Sequence, residues 1–341
     1  MKNNAVYYSV GALLYCPANH PSVADSVIGE AFGKPYSLAL CLEDTIADAC
    51  VEDAERILVK TLKKLHRRSR TQSFYLPKIF IRVRSPRQIS RLLPLLEKSL
   101  TIVTGFIAPK FDTENASDYI RELTAANAAA AAPLYLMPIL ESADLIDLRK
   151  RTDFLYHLKD LLAPAEEQIL NIRVGGNDLC HLFGFRRHAD ESIYQIRPIA
   201  DIFSDIVSVF GTDYVISGPV WEYYAGKNWK SGLMQELAED RLCGFTGKTV
   251  IHPNQISVVN QSLKVPVNDL ADARAVLGWS EDAGSLVSGS SARERMNEYK
   301  THFNWAQKIL YLAELYGVEE PDASPVHTLK STGKPGKRNA V

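Results

Sequence analysis

The stretch KIFIRVR (78–84), followed by SPRQISRLLPLLEKSL (85–100) and IVTGFIAP (102–109), decides the fold. Its two ends are short, apolar and rich in β-branched residues, as strands are, and the amphipathic segment between them has the length of a helix. A strand–helix–strand unit pairs its strands in parallel, because only a crossover helix returns the chain to the same end of the sheet. The unit recurs on both sides. Further strands are predicted at GALLYCP (11–17), SLALCLE (37–43), LYLMPIL (134–140), ILNIRVGG (169–176), DYVISG (213–218) and KTVIHP (248–253). Helix-length segments lie between them, among them Ile46–Leu65, Pro86–Leu100, Glu114–Ala131 and Ala143–Leu162. Eight such units in about 250 residues are the count and size of a (β/α)8 TIM barrel. The competing architecture is an open doubly wound sheet, but no GxGxxG follows the first strand.

Asn254–Leu263 reads as the last barrel helix, which puts the barrel at residues 1–263. Residues 264–318 hold a turn-rich GSLVSGSSA and a helix ending in WAQKILYLAELYGV. They are expected to form an appendage packed on the barrel or on a neighbouring subunit. The last stretch, 319–341, is rich in Pro, Gly and charge and is expected to be disordered.

Of the 341 residues, 46% are hydrophobic and 23% charged, as in soluble globular proteins. A formal net charge of -1 gives no electrostatic reason for a nucleic-acid or anionic-membrane partner. The basic run KTLKKLHRRSR (60–70) reads as the solvated end of a helix, where positive charge suits the dipole. No apolar run approaches the roughly 20 residues that span a bilayer. The amino-terminal segment reads as a first strand rather than a signal peptide. Five scattered cysteines without a CxxC pair suggest neither a disulfide framework nor a zinc site, so a reducing, cytoplasmic home is expected.

Barrel enzymes assemble their sites at the carboxyl ends of the strands. Here those ends carry Glu43-Asp44, Lys110, Glu141, Asn177-Asp178 and His252, and the third strand carries Arg82 and Arg84. Ionisable groups therefore converge on one rim from six strands. Period-two alternation sets Ile79, Ile81 and Val83 against the helices and turns Phe80, Arg82 and Arg84 into the barrel. It separates Leu38, Leu40 and Leu42 from Ala39, Cys41 and Glu43 in the same way, and puts Asn171 and Arg173 together on the sixth strand. A buried charge must be paired or bind a ligand, and three arginines facing few carboxylates favour an anionic ligand. Glu141 and Asp178 form a candidate metal pair, since two carboxylates with water and substrate oxygens are how Mg2+ is held at catalytic sites. Equally, Asp178 could cap a helix and Glu141 could partner an arginine. The residues alone leave both readings open.

The same residues resemble the citrate lyase β-subunit and HpcH/HpaI aldolase family, from Leu13 to about Leu310. LLYCPAN is similar to the family's L-F-V-P-G strand, and LALCLEDTIAD to its D-L-E-D-S-V motif. IRVR, FIAPK, MPILES, VGGNDL and GFTGKTVIHPNQI resemble its V-R-V-N, L-P-K, P-x-I-E-T, F-G-x-x-D-L and G-F-x-G-K-x-x-I-H-P-S-Q-I elements, in that order. The longer citrate-lyase-like proteins of bacterial stress gene clusters share endings similar to RMNEYKTHFNWA. The resemblance implies a carbon–carbon lyase of retro-Claisen or retro-aldol type. Glu141 and Asp178 would be its Mg2+ ligands, Arg82 would bind the keto acid, and Glu43 and Asp44 would be the acidic motif beside the site. Lys110 would be the strand-four lysine, and the loop after Asp178, with Asn177, would present N–H groups to a substrate carboxylate. The substrate would be a 2-keto acid, with an acyl-CoA or acyl-carrier thioester, in a trimer or hexamer. Three departures stand out. Gly11-Ala12 replaces the family's Arg-Ser, so Arg84 or Arg173 would have to supply that anion contact. The spacing from Glu141 to Asp178 is long. Glu298 stands where relatives offer a neighbouring subunit an Asp. These departures also admit a barrel that binds metabolites or serves as a scaffold in a stress response, or an acyl-CoA thioesterase using the same site.

Weaker candidates are His252, read as structural, and the adjacent Cys180 and His181, which lack further soft ligands. Trp221, Tyr223 and Tyr224 read equally as a pocket lid or a packed loop, and GSLVSGSSA as a flexible connector rather than a phosphate loop.

Overall fold

Alternation along each barrel strand sorts the core into two parts. Leu38, Leu40, Ile79, Ile81, Val83 and Leu136 face outward and pack against the helices, while Leu13, Ala39, Phe80, Ile107 and Met137 fill the barrel interior. The computed structural model describes residues 2–279 and 284–319. Its strands are β1 (Ala12–Pro17), β2 (Ser37–Cys41), β3 (Lys78–Arg82), β4 (Val103–Ala108), β5 (Tyr135–Leu140), β6 (Ile172–Val174), β7 (Ile216–Ser217) and β8 (Lys248–Val250). They lie in the order β7-β6-β5-β4-β3-β2-β1-β8, all in parallel pairs. A parallel bridge from Gly218 to Lys248 brings the last two edges together, so the sheet is a barrel and not an open sheet.

The helices are α1 (Val23–Ile28), α2 (Val51–Ser69), α3 (Pro86–Leu96), α4 (Ala116–Ala129), α5 (Arg151–Leu162), α6 (Gly176–Phe183), α7 (Arg197–Phe210), α8 (Trp229–Leu242) and α9 (Asn254–Leu263). α2 shows why they form where they do. Ala54, Leu58, Leu62 and Leu65 are buried at helical spacing, with Glu52 and Asp53 in the first turn and His66, Arg67 and Arg68 in the last. The basic run of the sequence is thus the dipole-compatible end of a surface helix. Several ends fall inside the expected ones: α2 starts at Val51 rather than Ile46, α5 at Arg151 rather than Ala143, and β7 has two residues. The intervening residues form short 3-10 turns, Asp48–Cys50 and Ala143–Leu145, the second capped by Ser142.

α10 (Val267–Leu277) and α11 (Tyr299–Tyr316) follow the barrel. Between them GSLVSGSSA is not a free connector. Its Val287–Gly289 forms β9, antiparallel to β10 (Met296–Glu298), and Arg295 ties the hairpin to α10 through Asp269 and Asp272. α11 packs on this chain's own barrel. Tyr8 stacks on Tyr311, the Tyr316 hydroxyl donates to the Tyr8 carbonyl (2.6 Å), and Leu312 and Leu315 join the interior cluster. The amino-terminal end of the barrel is closed by that packing, which leaves the carboxyl end as the way in. The expected disordered tail lies, apart from Glu319, outside the described residues. Among the described residues no helix is long and apolar enough to cross a membrane.

Candidate active site at the carboxyl end of the barrel

A cavity of about 220 Å3 opens at the carboxyl end. Of the residues expected on the rim, Asp44, Arg82, Glu141, Arg173, Asn177 and Asp178 line it. Glu43 and Lys110 stand one contact behind. Glu43 lies 2.8 Å from Arg82 Nη2, and Lys110 Nζ donates to Glu43 (2.7 Å) and Asp44 (3.3 Å). Arg82 also donates to Asp44 at 3.0 Å. Burial alone would raise the Asp44 carboxyl, but its contact with Glu43 and the charges of Arg82 and Lys110 outweigh burial and hold it below the usual carboxylate range. Lys110 is correspondingly pushed up by its hydrogen bond to Glu43.

Glu141 directly follows β5 and is buried. Its Oε1 accepts from the Lys110 backbone N–H at 2.8 Å. That donor is aimed by an uncommon backbone, because Lys110 sits at φ +47°, in the left-handed region. Arg82 Nη2 lies 3.7 Å from Glu141, a longer ion pair than those it makes with Glu43 (2.8 Å) and Asp44 (3.0 Å). The neighbour of Glu141 is Asp178, in the first turn of α6. Burial first, and then the Asp178 charge, push Glu141 up to about 8, and the two carboxyls are in hydrogen-bond contact. Asp178 caps nothing: the cap position of α6 is Gly175, and no side chain caps the helix. Gly175 is there to make room, since a Cβ on it would lie 2.1 Å from Glu141 Oε2. The segment following β6 is therefore a helix start rather than a loop. Its first N–H groups, at the cavity wall beside Asn177, have no intrahelical partner.

These observations fit a hard divalent cation. Two carboxylates forced into contact in a buried cavity would lose their mutual repulsion to such an ion. Their oxygen-only donor set, open to water and substrate, is the kind Mg2+ takes. Among the described residues no group of three or more His, Cys, Asp or Glu is clustered for a metal.

Arg173 is 1% exposed inside the barrel. Its Nη2 donates to Thr249 Oγ1 (2.7 Å), Nη1 contacts Asn171 Oδ1 (3.4 Å), and Tyr15 shares a side-chain hydrogen bond. Arg84 goes elsewhere. β3 ends at Arg82, so the period-two rule no longer holds two residues on, and Arg84 turns outward. It binds the carbonyls of Leu42 (2.6 Å), Glu43 and Ile46 and the Asp48 carboxylate, bracing the turn that carries Glu43 and Asp44.

Tyr15 and Thr249 are cavity residues that the charge pattern passed over. Parity could have found both, since they face inward on β1 and β8. Trp221 is fully buried and Tyr223 bonds the Arg187 carbonyl, so that segment is a packed loop. Tyr224 stacks on His252 at 4.4 Å. Lys248, Glu236, Asp240 and Arg187, the last packed on the Trp221 ring, form a buried ionic network outside the cavity.

A closed α/β barrel with acids and bases gathered at its carboxyl rim is the scaffold of many enzymes, and the comparisons narrow it. Residues 4–318 match the family described as C-C bond lyase of the TIM-barrel fold, and the chain belongs to that family. Among solved structures it is similar to the CitE protein of Mycobacterium tuberculosis, in complex with magnesium, acetoacetate and coenzyme A. There the TM-score is 0.57 at 19% identity, covering 90% of this chain and 99% of that one. It is also similar to RipC of Yersinia pestis, with a TM-score of 0.50 at 17% identity, covering 75% of this chain and 95% of that one. These likenesses show the fold. Among curated proteins none matches.

Proposed function

We propose that the chain is a Mg2+-dependent lyase that cleaves a carbon–carbon bond in a substrate derived from a 2-keto acid, with an acyl thioester as the other fragment. The observation that carries this reading is the pair Glu141–Asp178, two carboxyls in contact at one wall of a cavity whose other walls hold Arg82 and Asp44. Support comes also from the family and from the Mycobacterium tuberculosis CitE complex, whose ligands are magnesium, acetoacetate and coenzyme A.

Glu141 and Asp178 would hold the ion, which supplies charge to polarise the keto group and offset the negative charge that develops there. In the cleavage direction the bond between the carbinol carbon and the carbon α to the acyl carbonyl breaks. Its electron pair moves onto the acyl fragment, and the hydroxyl proton leaves to a base. Asp44 faces the cavity and is the group placed to receive that proton, although the contact with Glu43 and the Arg82 and Lys110 charges, which outweigh burial and hold its carboxyl below the usual range, also weaken it as a base. Arg82 is held by Glu43 and Asp44 with its Nε unpartnered. A guanidinium fixed in this way offers donors to a carboxylate without paying much for orientation. Lys110 keeps the two acids that follow β2 from repelling each other. Asn177 and the first N–H groups of α6 would face the carboxylate of the keto acid.

The test is calorimetric titration of Mg2+ with and without pyruvate, glyoxylate and oxaloacetate, with Glu141→Ala alongside. Mg2+ and keto acid should each tighten the other's binding, and the coupling should vanish in the variant. Wild-type protein that binds neither would sink the lyase reading and leave a barrel without this chemistry.

A further inference from the structure

The ions of this cavity do not balance locally. Glu43 and Asp44 are matched by Arg82 and Lys110. Glu141 and Asp178 share one wall with no cation closer than the 3.7 Å contact to Arg82. Arg173 has the opposite deficit. Among the described residues its guanidinium meets only the neutral oxygens of Thr249, Asn171 and Tyr15, and its Nε meets nothing. Burying a guanidinium against neutral groups is unfavourable unless an anion arrives, and the fold does nothing to avoid that cost. β6 pairs β5 and β7, yet Arg173 reaches across to β8 and β1. β1 lies opposite β5, the strand that Glu141 follows, so the guanidinium points away from a strand that β6 itself neighbours. Arg173 and Tyr15 line the same cavity as Glu141 and Asp178. One cavity thus has an acid pair short of a cation on one wall and a buried arginine short of an anion reaching toward the other.

We infer that Arg173, supported by Tyr15 and Thr249, anchors a second carboxylate of the substrate, on the side of the cavity formed by β1 and β8, so that the site selects dianionic over monoanionic keto acids. The inference rests on the proposed reading of the acid pair and adds to it the residue that sets specificity. Arg173 touches the substrate end that does not react, so it acts on affinity rather than on bond cleavage. The hydroxyls of Tyr15 and Thr249 hold the guanidinium in place, and Arg82, whose guanidinium carbon lies 5.8 Å from the Tyr15 ring centroid, closes the near side.

The experiment titrates oxaloacetate and pyruvate, which differ by one carboxylate, into wild-type protein and Arg173→Met, each with and without Mg2+. Thermal unfolding without ligand is measured in parallel. Wild-type protein should bind oxaloacetate more tightly than pyruvate. Arg173→Met should lose oxaloacetate affinity by about tenfold or more and change pyruvate affinity by less than about threefold, as loss of one charge-assisted contact predicts. Its unfolding temperature should hold or rise, because a well-packed apolar side chain replaces an unpaired buried charge. Equal affinity of wild-type protein for the two acids overturns the inference. So does equal weakening of both acids in the variant with a lowered unfolding temperature, which marks a structural residue. Should Arg173→Met not fold, Thr249→Val is read in the same way and must also reduce the preference. A preference for oxaloacetate that depends on Arg173 but not on Mg2+ keeps the anchor and removes the metal reading. Binding of neither acid overturns both.

Discussion

Replacing Glu141 by glutamine should stabilise the metal-free protein while abolishing its response to Mg2+. The carboxyl moves from its ordinary 4.5 to about 8 on folding. The folded state therefore prefers the protonated form. Stability from this group is full below pH 4.5, falls as the pH rises toward 8, and is level above that. At pH 7 the proton held on Glu141 corresponds to about 3 kcal/mol of lost folding free energy. The glutamine side chain would keep the acceptor for the Lys110 N–H, which Glu141 holds at 2.8 Å, and would present a fixed N–H to Asp178 in place of the shared proton. Because Asp178 takes part in the same titration and Arg82 offsets part of the repulsion, the net gain is put at about 1–3 kcal/mol.

For a chain of this size such a gain raises the unfolding temperature by about 1–4 °C. The assay is thermal unfolding in EDTA and in excess Mg2+, from pH 5 to pH 9. Wild-type protein should lose stability in EDTA as the pH rises toward 8 and recover it with Mg2+ by mass action. Glu141→Gln should be flatter across that range in EDTA and indifferent to Mg2+. A variant less stable than wild type in EDTA at pH 8, or one that Mg2+ still stabilises, would refute the argument that the two acids are a cation site held at a cost.

Three further outcomes follow from packing and charge. Gly175→Ala should cost about 1–3 kcal/mol and remove Mg2+ coupling, since its Cβ would sit 2.1 Å from Glu141 Oε2 while φ at -89° leaves the backbone unstrained. A denaturant midpoint and a Mg2+ titration at wild-type values would contradict the close packing. Lys248→Ala should cost about 3–5 kcal/mol by leaving Glu236 and Asp240 buried around an absent cation; a loss below about 1 kcal/mol in urea unfolding would show the network relaxes. Burial pushes the Cys16 thiol up to about 11, whereas Cys50 is exposed. Mass-spectrometric mapping of iodoacetamide labelling should therefore find Cys50 modified near pH 7.5 and Cys16 only as the pH approaches 11, and equal rates would contradict this.

The barrel was legible in the sequence because its signals are local and repeated. Each strand is a short apolar run whose alternate residues choose between helices and interior, and that choice is visible in KIFIRVR without knowing what packs on it. The ends were less legible. Parity predicted an inward Arg84, but parity holds only while the ladder holds, and β3 stops at Arg82. Beyond it the chain is free to turn the guanidinium onto the carbonyls of the next turn. GSLVSGSSA looked like a connector because its composition is that of a turn, yet its pairing with β10 and the Arg295 bonds to Asp269 and Asp272 are contacts that composition does not encode.

The site divides along the same line. Which ionisable groups gather at the rim follows from strand ends, so Glu43, Asp44, Arg82, Lys110, Glu141, Arg173 and Asp178 could be named before any contact was known. Which acid each cation answers could not, because that depends on distances between strands far apart in sequence. Counting charges at the rim gives four acids and three cations, a total that does not say which charge answers which. Allotting them by distance gives a different result: Arg82 and Lys110 serve Glu43 and Asp44 closely and Arg82 reaches Glu141 only at 3.7 Å, which leaves the acid pair weakly answered and Arg173, whose guanidinium reaches toward β8 and β1, without an acid. Near-neutral totals with separated local deficits describe a cavity built for a ligand that carries both signs, such as a cation chelated by an acid with a second charged end. The same totals with every charge locally paired would have described a core.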